Sequence, residues 1–219
     1  METRTIALTK PRPELMAAAR YFYQQGWMMG TAGNLSARMP DGSFWITASG
    51  KYKGDLQLGD FVKVSSLGEV STLVNGLKPS AETTIHQTIY TLFPEVYACY
   101  HVHSIEANLV SNLVTNNELH LPPLEMLKGL GVLQENPDCV ISIFTNYSQV
   151  SRIAEDIKQQ FSINPPQIPA LLIRNHGLTV WAPTQEKARN YIEIMEYIFR
   201  YMIAAVSIPD YLGLKVPGL

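Results

Sequence analysis

Two histidines separated by one residue, His101 and His103, close an apolar, β-prone run, Val96-Tyr-Ala-Cys-Tyr-His101-Val-His103. Side chains at i and i+2 of a strand point to one face, so the pair presents two imidazoles side by side where the strand runs out. Two neutral imidazoles on one face suit Zn²⁺ and related divalent metals; the alternative is one core histidine and one exposed. A third histidine, His176, ends a second apolar run, Ala170-Leu-Leu-Ile173-Arg-Asn175-His176-Gly177, 73 positions after His103. Three protein ligands and an open position characterise catalytic rather than structural zinc. The open position admits a sugar-like ketone or hydroxyl, which the metal polarises as a Lewis acid.

Two carboxylates are candidates for moving protons. Glu82 follows Lys78-Pro79-Ser80-Ala81, where its plain role is a first-turn acid favouring the helix dipole. Glu125 stands alone among apolar residues in Leu124-Glu125-Met126-Leu127. Burial there would raise its pKa, as a proton-transfer role requires; an exposed Glu125 paired with Lys128 is the alternative. Upstream, Gly26 to Gly33 is dense in glycine, and Ser49-Gly50-Lys51-Tyr52-Lys53-Gly54 joins a hydroxyl, glycines and two lysines. Such turns point backbone N–H groups at an anion, here a phosphate; the alternatives are a tight turn feeding a strand for the first stretch and an exposed basic turn for the second. His86, one turn after Glu82, reads as a structural helix histidine or a ligand, and His120 as a loop histidine without a role.

The elements that position these groups follow from periodicity and punctuation. Residues 13–25 predict a helix burying Leu15, Met16, Ala19 and Tyr23 and stopping at Gly26. Pro40-Asp41-Gly42 predicts a hairpin between 35–38 and 43–47, with Phe44 and Ile46 on one face. Residues 61–64 and 69–72 predict another antiparallel pair. Ser80 is the expected N-cap of a helix that buries Ile85, Ile89 and Leu92. Ser104 caps a helix over 104–113, and the Pro122-Pro123 pair predicts an extended loop. A strand over 140–144 and a helix over 148–161 follow, the helix carrying Val150, Ile153, Ile157 and Phe161. The strand over 170–177 is expected to continue through 178–181. Thr184 caps a last helix with Ala188, Tyr191, Ile192, Met195, Ile198, Phe199 and Met202 as its stripe, and the tail from Pro209 is less regular. With no internal repeat and no linker, residues 1–219 read as a single domain.

Composition bounds the function. Of 219 residues, 46% are hydrophobic and 16% charged, enough apolar material for a substantial core. A net charge of −2 argues against nucleic acid as partner. No apolar run approaches the ~20 residues a bilayer span needs, and the N-terminus lacks an apolar signal core. Cys99 and Cys139 belong to no CxxC, which argues against a disulfide framework or a zinc knuckle. The expectation is a cytoplasmic globular protein, and composition fits an enzyme and a non-enzyme equally well.

Taken together, Gly30-Thr-Ala-Gly33-Asn34-Leu-Ser36, Thr47-Ala-Ser49-Gly50, Lys78-Pro-Ser80-Ala-Glu82, His101-Val-His103 and Asn175-His176-Gly177 resemble the class II aldolase/adducin superfamily, over nearly all of the chain. Within it, Leu124-Glu125-Met126-Leu127-Lys128-Gly129 is similar to the signature of the methylthioribulose-1-phosphate dehydratases. The resemblance implies an α/β fold of three layers, with a central, mostly antiparallel sheet flanked by helices, and a homotetramer. It implies one Zn²⁺ per subunit on His101, His103 and His176, and Glu125 as the acid/base that takes the C3 proton of 5-methylthioribulose 1-phosphate. Loss of the C4 hydroxyl as water then gives 5-methylthio-2,3-dioxopentyl phosphate, a step of methionine salvage. Glu82 matches the acid used by the aldolases and ranks second. Gly33, Asn34, Ser49, Gly50, Lys53 and Ser80 fall on phosphate-contacting stretches, although Ala81 stands where the aldolases carry a hydroxyl. The competing readings are a sugar-phosphate aldolase or ribulose-phosphate 4-epimerase with Glu82 as acting acid, and an adducin-like module that has lost its metal.

Overall fold

The computed structural model describes residues 10–70 and 76–207. In chain order the elements are α1 (Arg12–Gln24), β1 (Asn34–Arg38), β2 (Phe44–Thr47), β3 (Phe61–Val64), α2 (Thr83–Leu92), β4 (Ala98–Val102), α3 (Ile105–Val110), β5 (Glu118–Leu121), β6 (Cys139–Phe144), α4 (Val150–Ile163), β7 (Ala170–Ile173), β8 (Gly177–Ala182) and α5 (Gln185–Val206). The strands form one sheet in the order β3-β2-β1-β4-β8-β7-β6-β5. Every neighbouring pair is antiparallel except β6 and β7. The fold is the expected α/β arrangement of a mostly antiparallel sheet between two helical layers.

Alternation along the strands sorts the core into two faces. Leu35, Tyr100, Val180 and Leu172 pack with the buried stripes of α1 and α5. Phe44, Ile46, Cys99, Trp181 and Leu171 pack with α2 and α4. The hairpin at Pro40-Asp41-Gly42 forms as expected, with Phe44 and Ile46 buried on one face. Ser104 and Thr184 cap their helices, each hydroxyl accepting a backbone N–H three residues on.

Several expectations are corrected. Helix α1 buries Leu15, Ala18, Ala19 and Phe22, with Met16 and Tyr23 only partly covered. Helix α2 begins at Thr83 with Glu82 as its cap residue; Ser80 instead accepts the Glu82 N–H in a turn just before it. The run from Ala170 to Trp181 is not one strand. It reverses at Arg174–His176, and Ile173 pairs back onto Gly177. His120 lies on β5, a strand read as loop, where it meets Asp138 at 2.7 Å. Val70 bridges Val64, so the second hairpin exists in part; its residues 71 and 72, like the tail from Pro209, lie outside the described residues.

One core position departs from its apolar stripe. Glu196, on the buried face of α5, is 1% exposed, and its carboxyl oxygens make no hydrogen bond of regular geometry. Burial raises its pKa to about 8, against a smaller lowering by the nearby Ser104 hydroxyl. The folded chain therefore keeps a proton that the unfolded chain releases above its ordinary pKa of 4.5. Stability attributable to this group falls as pH rises from about 4.5 to about 8, by up to roughly 5 kcal/mol. Glu196→Gln, uncharged in both states, is expected to raise the urea midpoint little at pH 5 and progressively more toward pH 8. An equal shift at both pH values would contradict the assignment.

Candidate metal centre

The register of three adjacent strands builds the site. Asn34 on β1 pairs with His101 on β4, and His101 pairs with Thr179 on β8, so the three stand in one row across the sheet. They share the α2-facing side of the sheet, because Leu35, Tyr100 and Leu178 take the opposite one. His101 Nδ1 lies 2.8 Å from Thr179 Oγ1, which leaves Nε2 for the centre. His103 follows the end of β4, with its backbone N–H donated to the Trp27 carbonyl at 2.8 Å.

His176 sits on the reversal between β7 and β8. Its Nδ1 lies 3.1 Å from Asn146 Oδ1, an amide oxygen that accepts from Nδ1–H whenever Nε2 is given to a cation. Neighbouring residues hold this turn. Asn175 adopts a left-handed φ of 53° and donates its N–H to Ser111 Oγ at 3.1 Å. The Arg174 guanidinium donates to the carbonyls of Val114 and Asn116 at 2.9 and 2.6 Å. Gly177 is required by proximity, since a Cβ there would stand 2.1 Å from the Val102 carbonyl oxygen. Gly33, with φ +75°, likewise lets β1 approach the His101 carbonyl.

The three imidazoles meet nearly edge to face, with ring centroids 4.5 to 5.0 Å apart. One ligand atom from each of Glu82, His101, His103 and His176 lies within 4.8 Å of all the others. Glu82 Oε1 is 2.6 Å from His176 Nε2, and Oε2 is 3.6 Å from His101 Nε2. Burial lowers the pKa of His101 to about 4 and of His103 to about 3, with Glu82 opposing the shift in both. Burial alone would raise Glu82, but His101, His176 and His103 more than offset it and hold its carboxyl well below the ordinary range. Three imidazoles, with those of His101 and His103 kept neutral by burial, beside an ionised carboxylate form a donor set that fits a divalent cation such as Zn²⁺.

The anion-binding expectations converge on three adjacent loops. Lys53 donates its backbone N–H to Gly30 O, and its Nζ to the carbonyls of Thr31 and Lys51 at 2.8 and 3.0 Å. The side chain is buried, which lowers its pKa to about 8 against the pull of Glu82, and one ammonium hydrogen remains for a ligand. Ser49 and Gly50 are exposed on a turn tied to the Ser80 loop by the Ala48–Pro79 bridge. Gly33 shapes the third loop. Asn34 engages its amide oxygen with His86 and one amide N–H with Glu82, leaving the second N–H.

Glu125 stands apart from the imidazoles. It opens a 3-10 turn, Glu125–Leu130, and is exposed rather than buried, with its carboxylate 2.8 Å from Lys128 Nζ. The sequence reading missed Thr179, Asn146 and Arg174. Thr179 was legible in principle, two residues beyond Gly177 on an otherwise apolar strand; Asn146 and Arg174 carry no local signal.

Known proteins resemble this chain over most of its length. The Class II Aldolase and Adducin N-terminal domain family matches residues 13–203. A methylthioribulose-1-phosphate dehydratase of Microcystis aeruginosa is 58% identical over 202 residues, covering 92% of this chain and 98% of its own. One of Leptospira biflexa is 41% identical, with 88% and 96% covered. Among solved structures, Escherichia coli YgbL superposes with a TM-score of 0.77 at 28% identity, covering 90% of each chain. The L-fuculose-1-phosphate aldolase of Thermus thermophilus shares the fold, with a TM-score of 0.70 at 21% identity over 93% and 95%.

Two substitutions test the centre. His103→Ala is expected to lose bound metal and activity together, read by elemental analysis beside turnover. Gly177→Ala should force β8 away from Val102, costing about 1–3 kcal/mol of stability and weakening metal retention. A metal-replete, parentally stable Gly177→Ala would show that the close approach is not required.

Proposed function

The chain belongs to the class II aldolase and adducin family, and from that premise we propose that it is a hydro-lyase converting 5-methylthioribulose 1-phosphate to 5-methylthio-2,3-dioxopentyl phosphate in methionine salvage. The observation that carries this reading is the convergence of Glu82, His101, His103 and His176 at the end of β4. The close relatives named as methylthioribulose-1-phosphate dehydratases supply the substrate.

We assign one Zn²⁺ per subunit to His101, His103 and His176. When bound there, the metal supplies Lewis acidity that polarises the substrate ketone and acidifies the proton at C3. The protein's own groups do the rest. The loops carrying Gly33, Asn34, Ser49, Gly50, Lys53 and Ser80 bind the phosphate, with Lys53 and backbone N–H groups as donors. Glu125 takes the C3 proton and returns one to the hydroxyl leaving C4, so that water departs and the enol relaxes to the diketone. Glu82 stays among the imidazoles as their fixed carboxylate.

We take the active form to be a cytoplasmic homotetramer. Ile105 and Leu109, 73% and 50% exposed on one face of α3, offer apolar surface for subunit contact. Both cysteines are free thiols, in keeping with a reducing compartment. No described helix is long and apolar enough to cross a membrane.

The test is incubation of zinc-loaded protein with 5-methylthioribulose 1-phosphate, followed by detection of the diketone. Glu125→Gln is expected to keep its metal and lose turnover by about 10²–10⁴-fold. Near-parental turnover in that variant would remove Glu125 from the mechanism. Cleavage to carbonyl fragments in place of water loss would move the chain to aldol chemistry.

A further inference from the structure

A chain of buried polar groups runs away from Glu82 between β1 and α2. Asn34 and Ser36 stand two residues apart on one face of β1, and Glu82, His86 and Tyr90 follow at four-residue steps along α2, so the two sets meet. The Asn34 amide nitrogen contacts Glu82 Oε2. Asn34 Oδ1 is 2.5 Å from His86 Nε2, His86 Nδ1 is 2.6 Å from Ser36 Oγ, and Ser36 Oγ is 2.7 Å from the Tyr90 hydroxyl. Asn34, Ser36, His86 and Tyr90 are all at least 96% buried.

The direction of every link is determined. Glu82 is an acceptor, so Asn34 turns its NH₂ toward it and its oxygen toward His86. An amide oxygen only accepts, so His86 carries its proton on Nε2. Burial lowers the His86 pKa to about 4 against the pull of Glu82, so the ring is neutral and Nδ1 is an acceptor. Ser36 therefore donates to Nδ1, in preference to the Cys99 carbonyl at 3.4 Å, and accepts from Tyr90, whose phenol burial keeps protonated. Reversing any one donor would set two lone pairs or two hydrogens against each other at buried positions, where neither can turn to water instead.

We propose that His86 is a positioning residue of the site: through its Nε2–H it locks the Asn34 amide in the orientation that tethers Glu82 Oε2 and leaves Oε1 facing the histidines. Without that donor, the Asn34 amide can flip and present oxygen to the carboxylate. Glu82 would then leave its place beside His176 and the geometry around the metal-binding imidazoles would loosen. His86 touches neither substrate nor metal in this role.

The first test uses nitrogen NMR of the zinc-loaded protein with labelled histidine. His86 is expected as the neutral Nε2–H tautomer at pH 7, opposite to His176. An Nδ1–H tautomer or an imidazolium at position 86 overturns the proposal. The second uses two substitutions. In His86→Gln the side-chain amide supplies a donor to Asn34 and an acceptor to Ser36; His86→Phe keeps an aromatic ring and removes both. His86→Gln is expected to stay within threefold of the parental kcat. His86→Phe should lose at least tenfold in kcat, with KM within threefold and zinc content unchanged. A purely space-filling residue predicts the reverse order, with His86→Phe the more active, and that result overturns the proposal. The kinetic arm rests on the dehydratase reading, and the NMR arm does not. A parent inactive on the substrate would count against that reading, and the tautomer would still decide the relay, as it would if neither variant folded.

Discussion

The row Asn34–His101–Thr179, set by the pairing of β1, β4 and β8, is the constraint on which the site depends. One row lower, Ser36, Cys99 and Trp181 occupy the same face, and both Cys99 and Trp181 belong to the core against α2 and α4. The change from core to polar row therefore happens within a single two-residue step, at the end of the sheet where the strands give way to loops. A shift of one residue in any of the three strands would turn its polar member to the opposite, wholly apolar face. The hydrophobic alternation that stabilises the sheet is thus also what aims His101 at Glu82. Site geometry and core packing are specified by the same residues.

How much of this was legible in the sequence depended on whether a signal was local. His101 and His103 were readable because period two places them on one face without reference to any other element. The hairpin at Pro40-Asp41-Gly42 and the caps Ser104 and Thr184 were readable for the same reason: each satisfies its own neighbours' backbone. The reversal at Arg174–His176 was not. Asn175 supplies a left-handed residue without being glycine, and the guanidinium bonds that hold the turn reach across to 114–116, some sixty residues earlier in the chain. Reading 170–181 as one strand nevertheless kept His176 beside Gly177, so the residue that closes the candidate cluster was named despite an incorrect topology. Strand β5 was lost to Pro122-Pro123, which follows the strand and does not interrupt it.

His86 shows the limit most directly. A helix histidine one turn after an acid is usually structural, and nothing within α2 says otherwise. Its meaning comes from Asn34 and Ser36, fifty residues upstream, whose own polarity on β1 reads as an ordinary strand end. Only the packing of α2 over that face brings a two-residue period and a four-residue period into one hydrogen-bonded line.

The two carboxylates stand in different physical settings. Glu82 is mostly buried, one oxygen engaged by Asn34 and the other against His176. The imidazoles hold it ionised well below its ordinary range. Efficient proton transfer calls for an acid whose pKa lies near the working pH and whose oxygen is free to meet the substrate. Glu82 meets neither requirement and is suited to holding charge in place. Glu125 is set differently: it is exposed, on a short 3-10 turn, and its partner is the neighbouring Lys128. An exposed ion pair of this kind contributes about 0–1 kcal/mol, so exchanging Lys128 for a substrate hydroxyl costs little. A fold that fixes one acid by a buried relay and leaves the other weakly held keeps a stationary negative charge beside its imidazoles, and under the proposed dehydration the second carboxylate is the one free to carry protons.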